Sequence, residues 1–171
     1  MLRRNILFPL CPLVLALLAV CLLPGTAVAD IKVRFLGVID GDSLRVEYRG
    51  DALEVRLIGV DAPEYRQEYS RKAREFSLRF CYKKTLRLEF DKRRRDRYGR
   101  TLAYVYADGL MLNEEIIRAG LAIPVRIKPN THRYPCFKQA EKEARKKRLG
   151  FWSKGGLDMT PAQWRKTHPR R

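Results

Sequence analysis

The stretch V-I-D-G-D-S-L-R-V at residues 38–46, followed by a turn through Arg49-Gly50-Asp51 and by V-R-L-I-G-V-D-A-P-E at residues 55–64, decides the fold. Leu44, Val46 and Tyr48 alternate with Ser43, Arg45 and Glu47, and Leu53, Val55 and Leu57 alternate with Glu54 and Arg56. A period of two marks half-buried strands, so the segment reads as a hairpin. Folding about Gly50 and Asp51 would make residues whose numbers sum to about 101 face each other across the pair. Asp42 would then stand opposite Gly59, two residues or roughly 7 Å from Asp61.

Carboxylates crowded at one open end need a cation or a proton between them, because like charges a few Å apart do not both ionise cheaply. The oxygen-only set of Asp42, Asp61 and neighbouring backbone carbonyls suits calcium or magnesium, and no His or Cys lies near them to favour zinc. Arg56 projects to the face opposite Val55 and Leu57. Glu64, just past Pro63, is placed to reach a water held by such an ion. Each fragment also has a structural reading: Asp40-Gly41 is a common turn pair, and Asp61-Ala62-Pro63-Glu64 has the form of a helix start with a capping box. The combination with Asp96-Arg97-Tyr98-Gly99-Arg100, which follows the strand-like Leu86 to Phe90, shifts the balance toward chemistry.

Upstream, Met1-Leu2-Arg3-Arg4 is followed by an apolar run from Ile6 to Leu23 and by Ala27-Val28-Ala29. This is the pattern of a secretory signal peptide over residues 1–29, with cleavage expected after Ala29, no stable membrane span after its removal, and a secreted, periplasmic or surface-associated product; retention as an uncleaved anchor is the alternative. Asp30 to Arg171 is then a single-domain length with one modest core. Losing Arg3 and Arg4 lowers the formal charge from +17 to about +15. Such an excess predicts attraction to polyanions, nucleic acid first and anionic lipid or cell-wall polymer second. Cys81 and Cys136 remain after the leader, fifty-five positions apart. In an oxidising compartment they could form a disulfide worth about 4 kcal/mol, or stay as two buried thiols.

Downstream, Tyr69, Ala73, Phe76 and Phe80 recur at helical spacing between Gln67 and Phe80. Thr101 to Tyr106 reads as a strand, Leu112 to Ala119 as a short helix ended by Gly120, and Phe137 to Arg148 as a last helix stopped at Gly150. The basic run from Asp91 to Arg97 reads as a solvated loop. Five strands with helices after the third and at the end fit a small closed sheet. After Trp152 the pattern dissolves into a basic tail, residues 153–171.

D-G-D-S, V-R-L-I-G-V-D-A-P-E, D-R-Y-G-R, L-A-Y-V-Y-A-D-G, G-L-A and K-P-N, closing on F-W, occur in that order between about Val33 and Trp152. Together they resemble the staphylococcal nuclease (thermonuclease) family. The resemblance implies an α+β fold, a five-stranded OB-fold barrel with three helices, over residues 30–152. It also implies a monomeric calcium-dependent nuclease of DNA and RNA with little sequence preference, leaving 3'-phosphate ends. By the same resemblance Asp42, Asp61 and the carbonyl of Ala62 would hold the metal, and Glu64 would be the general base. Arg56 and Arg100 would clamp the phosphate, and Arg97 and Tyr98 would contact a nucleotide phosphate. Where the type member carries a base-packing tyrosine, this chain has Val125, and a second nearby tyrosine is replaced by Ile127, so base preference is expected to differ. Two alternatives remain: a catalytically silent nucleic-acid-binding module, and an envelope protein that binds anionic polymers. A missing carboxylate or arginine would favour the first, and none of the five is missing.

Overall fold

Alternation of apolar residues builds the barrel wall. The structure, a computed structural model, describes residues 30–169; the leader expected over 1–29 lies outside them. Strand β1 (Asp30–Val38) pairs antiparallel with β2 (Ser43–Tyr48), and β2 pairs antiparallel with β3 (Asp51–Leu57). On the inner face Leu44, Val46 and Val55 are fully buried, each side chain contributing about 1.5–3 kcal/mol of transfer free energy. The hairpin turns about Arg49 and Gly50, both at positive φ (54° and 92°), and pairs Ser43 with Arg56 and Tyr48 with Asp51. Facing residues therefore sit two positions away from the register expected with a turn at Gly50-Asp51. A two-residue turn of this hand matches strand twist, and glycine accepts its second position at no steric cost. A shift of two leaves every side chain on its expected face.

β5 (Thr85–Glu89) pairs with β1 and with β6 (Thr101–Ala107), and β6 closes the barrel by pairing parallel with β3 through Val55–Thr101, Arg56–Leu102 and Leu57–Ala103. Asn113, wholly buried, locks that seam. Its side-chain oxygen accepts from the Val105 amide at 2.9 Å, and its amide donates to the carbonyls of Ile58 and Ala103 at 2.9 and 3.3 Å. The short strand β7 (Leu110–Met111) extends the sheet beside β6, and β4 (Val60–Asp61) and β8 (Ile123–Pro124) form a separate two-stranded sheet.

Helix α1 (Ser70–Cys81) packs Ala73, Ser77 and Cys81 inward, α2 is Leu112–Arg118 and α3 is Tyr134–Lys146. The first begins three residues later than the periodicity suggests, because Gln67 is diverted to loop contacts and Tyr69 takes a left-handed conformation. The closed five-stranded barrel agrees with the expected architecture. Among the described residues there are four α-helices where three were expected. The fourth, α4 (Pro161–Thr167), lies in the segment read as a patternless tail, and Thr160 and Gln163 form a capping box at its start with Pro161 in the first turn. Cys81 and Cys136 are free thiols, so the expected disulfide is not formed. Cys81 is sealed under the barrel, where burial pushes its thiol up to about 12. Cys136 is on the first turn of α3, where burial and a hydrogen bond to Glu114 push its thiol up to about 11.

Candidate active site

The loop Asp40-Gly41-Asp42 is pinned before β2 starts. Asp42 donates its amide to the Asp40 carboxylate at 3.1 Å, and Ser77 of α1 donates its hydroxyl to the Gly41 carbonyl at 2.7 Å. Gly41 lies so close to this wall that a Cβ there would come within 2.7 Å of the Ala62 methyl and 2.8 Å of the Ala73 methyl. The same contact delivers the second carboxylate strand. Beyond β3 the chain bends at Gly59, at φ +72°, and returns so that the Ala62 amide donates to Asp42 Oδ2 at 2.7 Å.

Arg56 leaves β3 on the face opposite Val55 and Leu57, as its alternation predicts. Its Nη1 is 2.7 Å from Asp42 Oδ1 and its Nη2 is 3.5 Å from Asp61 Oδ1. Asp42 and Asp61 are 5% and 3% exposed. Burial pushes the Asp42 carboxyl up to about 7; Arg56 opposes the shift and the Asp40 charge adds to it. One guanidinium is therefore insufficient compensation for this carboxylate. Glu64 follows immediately, its amide donating to Gln67 Oε1 at 3.0 Å.

A residue that sequence reasoning missed completes the cluster. Arg165 of α4 donates from Nη1 to Asp61 Oδ1 at 2.9 Å and to Glu64 Oε1 at 2.7 Å, and from Nη2 to Asp61 Oδ2 at 3.2 Å. The hydrogen bond to Asp61 is the largest cause of a guanidinium pKa raised above its ordinary value. The signal that could have found α4 was Thr160-Pro161-Ala162-Gln163; nothing local pointed to its docking site.

The second group of candidates sits on the loop entering β6. Asp96 organises it, accepting the amides of Tyr98 and Arg100 at 2.9 and 3.0 Å and the Arg100 Nε at 2.8 Å. These bonds outweigh the cost of burial and hold the Asp96 carboxyl below its usual range. Arg97 donates to the Tyr98 hydroxyl at 2.6 Å, and Tyr98 is exposed. The loop expected to be merely solvated is tied down by Asn130, which exchanges hydrogen bonds of 2.8 and 2.7 Å with the Arg93 backbone. Arg100 lies two positions before Leu102, the residue paired with Arg56, which puts the two arginines on one sheet face with backbones about 8 Å apart. Asp42, Arg56, Asp61 and Ala62 are thus joined directly, and Glu64 is joined to Asp61 through Arg165, while Arg97, Tyr98 and Arg100 stand on the loop entering β6. Val125 donates its amide to the Gly59 carbonyl beside Asp61, and Ile127 is exposed next to it.

The donor set fits a hard divalent ion in kind: two buried carboxylates, one of them raised by burial, and backbone oxygen. Among the described residues no three His, Cys, Asp or Glu side chains converge as a metal cluster, so water would fill the remaining positions. An OB-type barrel that gathers carboxylates and guanidinium groups at one end defines a class suited to phosphate ester chemistry. A family model described as staphylococcal nuclease homologue matches residues 54–154. The chain is 39% identical to a thermonuclease of Staphylococcus hyicus over 126 residues, 70% of this chain and 75% of that one. It is likewise 39% identical to a thermonuclease of Staphylococcus intermedius over 123 residues, 68% of this chain and 73% of that one. Endonuclease YncB of Bacillus subtilis (strain 168) is 40% identical over 126 residues, 69% of this chain and 60% of its own. The chain belongs to the staphylococcal nuclease family.

Proposed function

We propose that this protein is a divalent-metal-dependent nuclease, exported to the periplasm or the medium, that hydrolyses the phosphodiester bonds of DNA and RNA as a monomer and leaves 3'-phosphate ends. The observation that carries this reading is the meeting of Asp42, Arg56 and Asp61, from three separate chain segments, within hydrogen-bond reach at one end of the barrel, with Glu64 joined to Asp61 through Arg165. Relatives named thermonuclease and endonuclease support the reaction class.

Asp42, Asp61 and the Ala62 carbonyl would hold the ion, with calcium the choice best matched to oxygen donors and retained water. When bound it supplies positive charge against the phosphate and lowers the pKa of nearby water. Glu64 accepts the proton of the attacking water, a general-base role typically worth about a hundredfold to ten-thousandfold in rate. Arg56 and Arg100 match their planar forks to phosphate oxygens, where they stabilise charge that grows as the new bond forms. Arg97 and Tyr98 bind the adjacent phosphate. Contacts of this kind go to the backbone of the nucleic acid and carry little sequence information. Val125 and Ile127 offer no ring on which a base could stack, so base preference is weak.

Digestion of plasmid DNA and of RNA by the mature protein, with calcium, magnesium or EGTA and with end-group analysis of products, tests this reading. Calcium should support cleavage and EGTA should abolish it. Full-rate cleavage in EGTA would overturn the proposed site.

A further inference from the structure

The ion pair between α4 and the carboxylate pair has no part in the reaction just described. Arg165 engages both oxygens of Asp61 and one of Glu64, using the lone pairs that a hard cation and an attacking water would need. Two cations cannot share those oxygens at bonding distance without strong repulsion. Arg56 already serves Asp42, so the guanidinium at Asp61 is the site's second internal positive charge.

The element that brings it is built to detach. Helix α4 has seven residues, too few to persist alone in water. Its local support is the capping box of Thr160 and Gln163. Its docking rests on buried Pro161 and on the Gln67 amide donating to the Met159 carbonyl at 2.7 Å, while Trp164 lines an open cavity with Gln67, Glu68 and Leu157. Gln67 uses its other end to accept the Glu64 amide, so one side chain joins the segment bearing the general base to the segment bearing Arg165. The Arg165 side chain is 46% exposed, so it returns to water with little desolvation to reverse.

We propose that Arg165 is a further functional residue of this site: it stands in for the divalent ion in the metal-free protein, and α4 must release it before Asp61 and Glu64 can take up metal and water. The proposal rests on the metal-dependent reading above. Metal affinity is thereby set in part by a residue 104 positions away from Asp61 in the chain, since the apparent affinity falls with the fraction of molecules whose carboxylates are uncovered.

Calorimetric titration of calcium into the metal-free full chain and into Arg165→Ala, with amide exchange of residues 161–167 followed in parallel, tests this. Removing the competing guanidinium should tighten calcium binding by roughly three- to tenfold, the range set by a partly exposed ion pair. In the unsubstituted chain, calcium should speed exchange in α4, and Asp61→Asn should speed it without calcium. Arg165→Lys, which keeps the charge but loses the fork, should fall between the other two proteins in affinity. Equal calcium affinity in the chain and in Arg165→Ala, with α4 exchange indifferent to calcium, would overturn the proposal and leave the metal site standing. The same equality with faster exchange in Arg165→Ala would reduce Arg165 to a pin for its helix, and the proposal fails there too. No saturable calcium binding in either protein would overturn both the metal site and the proposal.

Discussion

Buried carboxylates in this barrel come in two kinds. Glu141, 5% exposed, sits on α3 between Lys138 and Arg145, and Glu89, 8% exposed, sits on β5 with Arg133 at 2.8 Å. Burial alone would raise both, but the hydrogen bonds from their cationic partners outweigh it and hold both carboxyls below the usual range. Asp42 is as little exposed but lies deeper among its neighbours, and burial pushes its carboxyl up to about 7 although Arg56 stands at 2.7 Å. Its guanidinium is shared with Asp61 while Asp40 adds repulsion. Where the partner is dedicated, the ion pair holds the fold together. At the mouth of the barrel the charge balance is left open, and that open balance is what a cation-binding site requires.

Several experiments would break or sharpen this contrast. Glu64→Gln removes a proton acceptor and the charge that pairs with Arg165 while keeping the side chain's shape, so cleavage of plasmid DNA should slow by about a hundredfold or more while DNA affinity, read by fluorescence anisotropy, barely moves. A comparable loss of affinity would mean Glu64 binds rather than reacts. Gly41→Ala forces a methyl against Ala62 and Ala73, and chemical denaturation should report about 1–3 kcal/mol of lost stability together with weaker calcium binding. Unchanged values would show that the loop can move aside.

Glu141→Gln should cost about 1–2 kcal/mol of stability in denaturant titrations and leave cleavage intact, since charge-assisted bonds are lost far from the barrel mouth. Asp42→Asn should do the reverse, ending cleavage while the metal-free protein keeps or gains stability. The two kinds of carboxylate should also separate by pH. Asp42 has a folded-state pKa above its unfolded value of 3.8, so the folded protein holds more protons than the unfolded one between there and about 7. The metal-free protein should therefore melt at lower temperature as pH rises through this window, a trend absent from Asp42→Asn. Glu89 and Glu141 act in the other direction. Their stabilisation is present above the ordinary 4.5 and is lost as pH falls through their depressed values.

The hairpin and its chemistry were legible because they are local. Alternation from Ser43 to Leu57 assigns faces, so Arg56 and the inner row of Leu44, Val46 and Val55 could be placed without coordinates. The order of Asp42, Asp61 and Glu64 around a tight pair of strands made their convergence a short-range inference. The register was less secure, since a turn at Arg49-Gly50 and one at Gly50-Asp51 leave the same residues inside. A disulfide between Cys81 and Cys136 was an inference from compartment, which carries no information about where two thiols sit. Arg100 could be named but not its anchor, because Asp96 acts through a loop conformation with no periodicity.

By itself the sequence determined a closed barrel of the staphylococcal nuclease family and the identity of the acidic and basic groups at its mouth, for these follow from a period of two and from neighbours a few residues apart. The capping box at Thr160 shows that even α4 was written locally. Its destination was not: the bond from Arg165 to Asp61 joins residues 104 positions apart, and no local pattern encodes such a contact. Only the tertiary structure decided which cation faces the open carboxylates, because that depends on where a short helix comes to rest with Pro161 buried and the Met159 carbonyl held by Gln67.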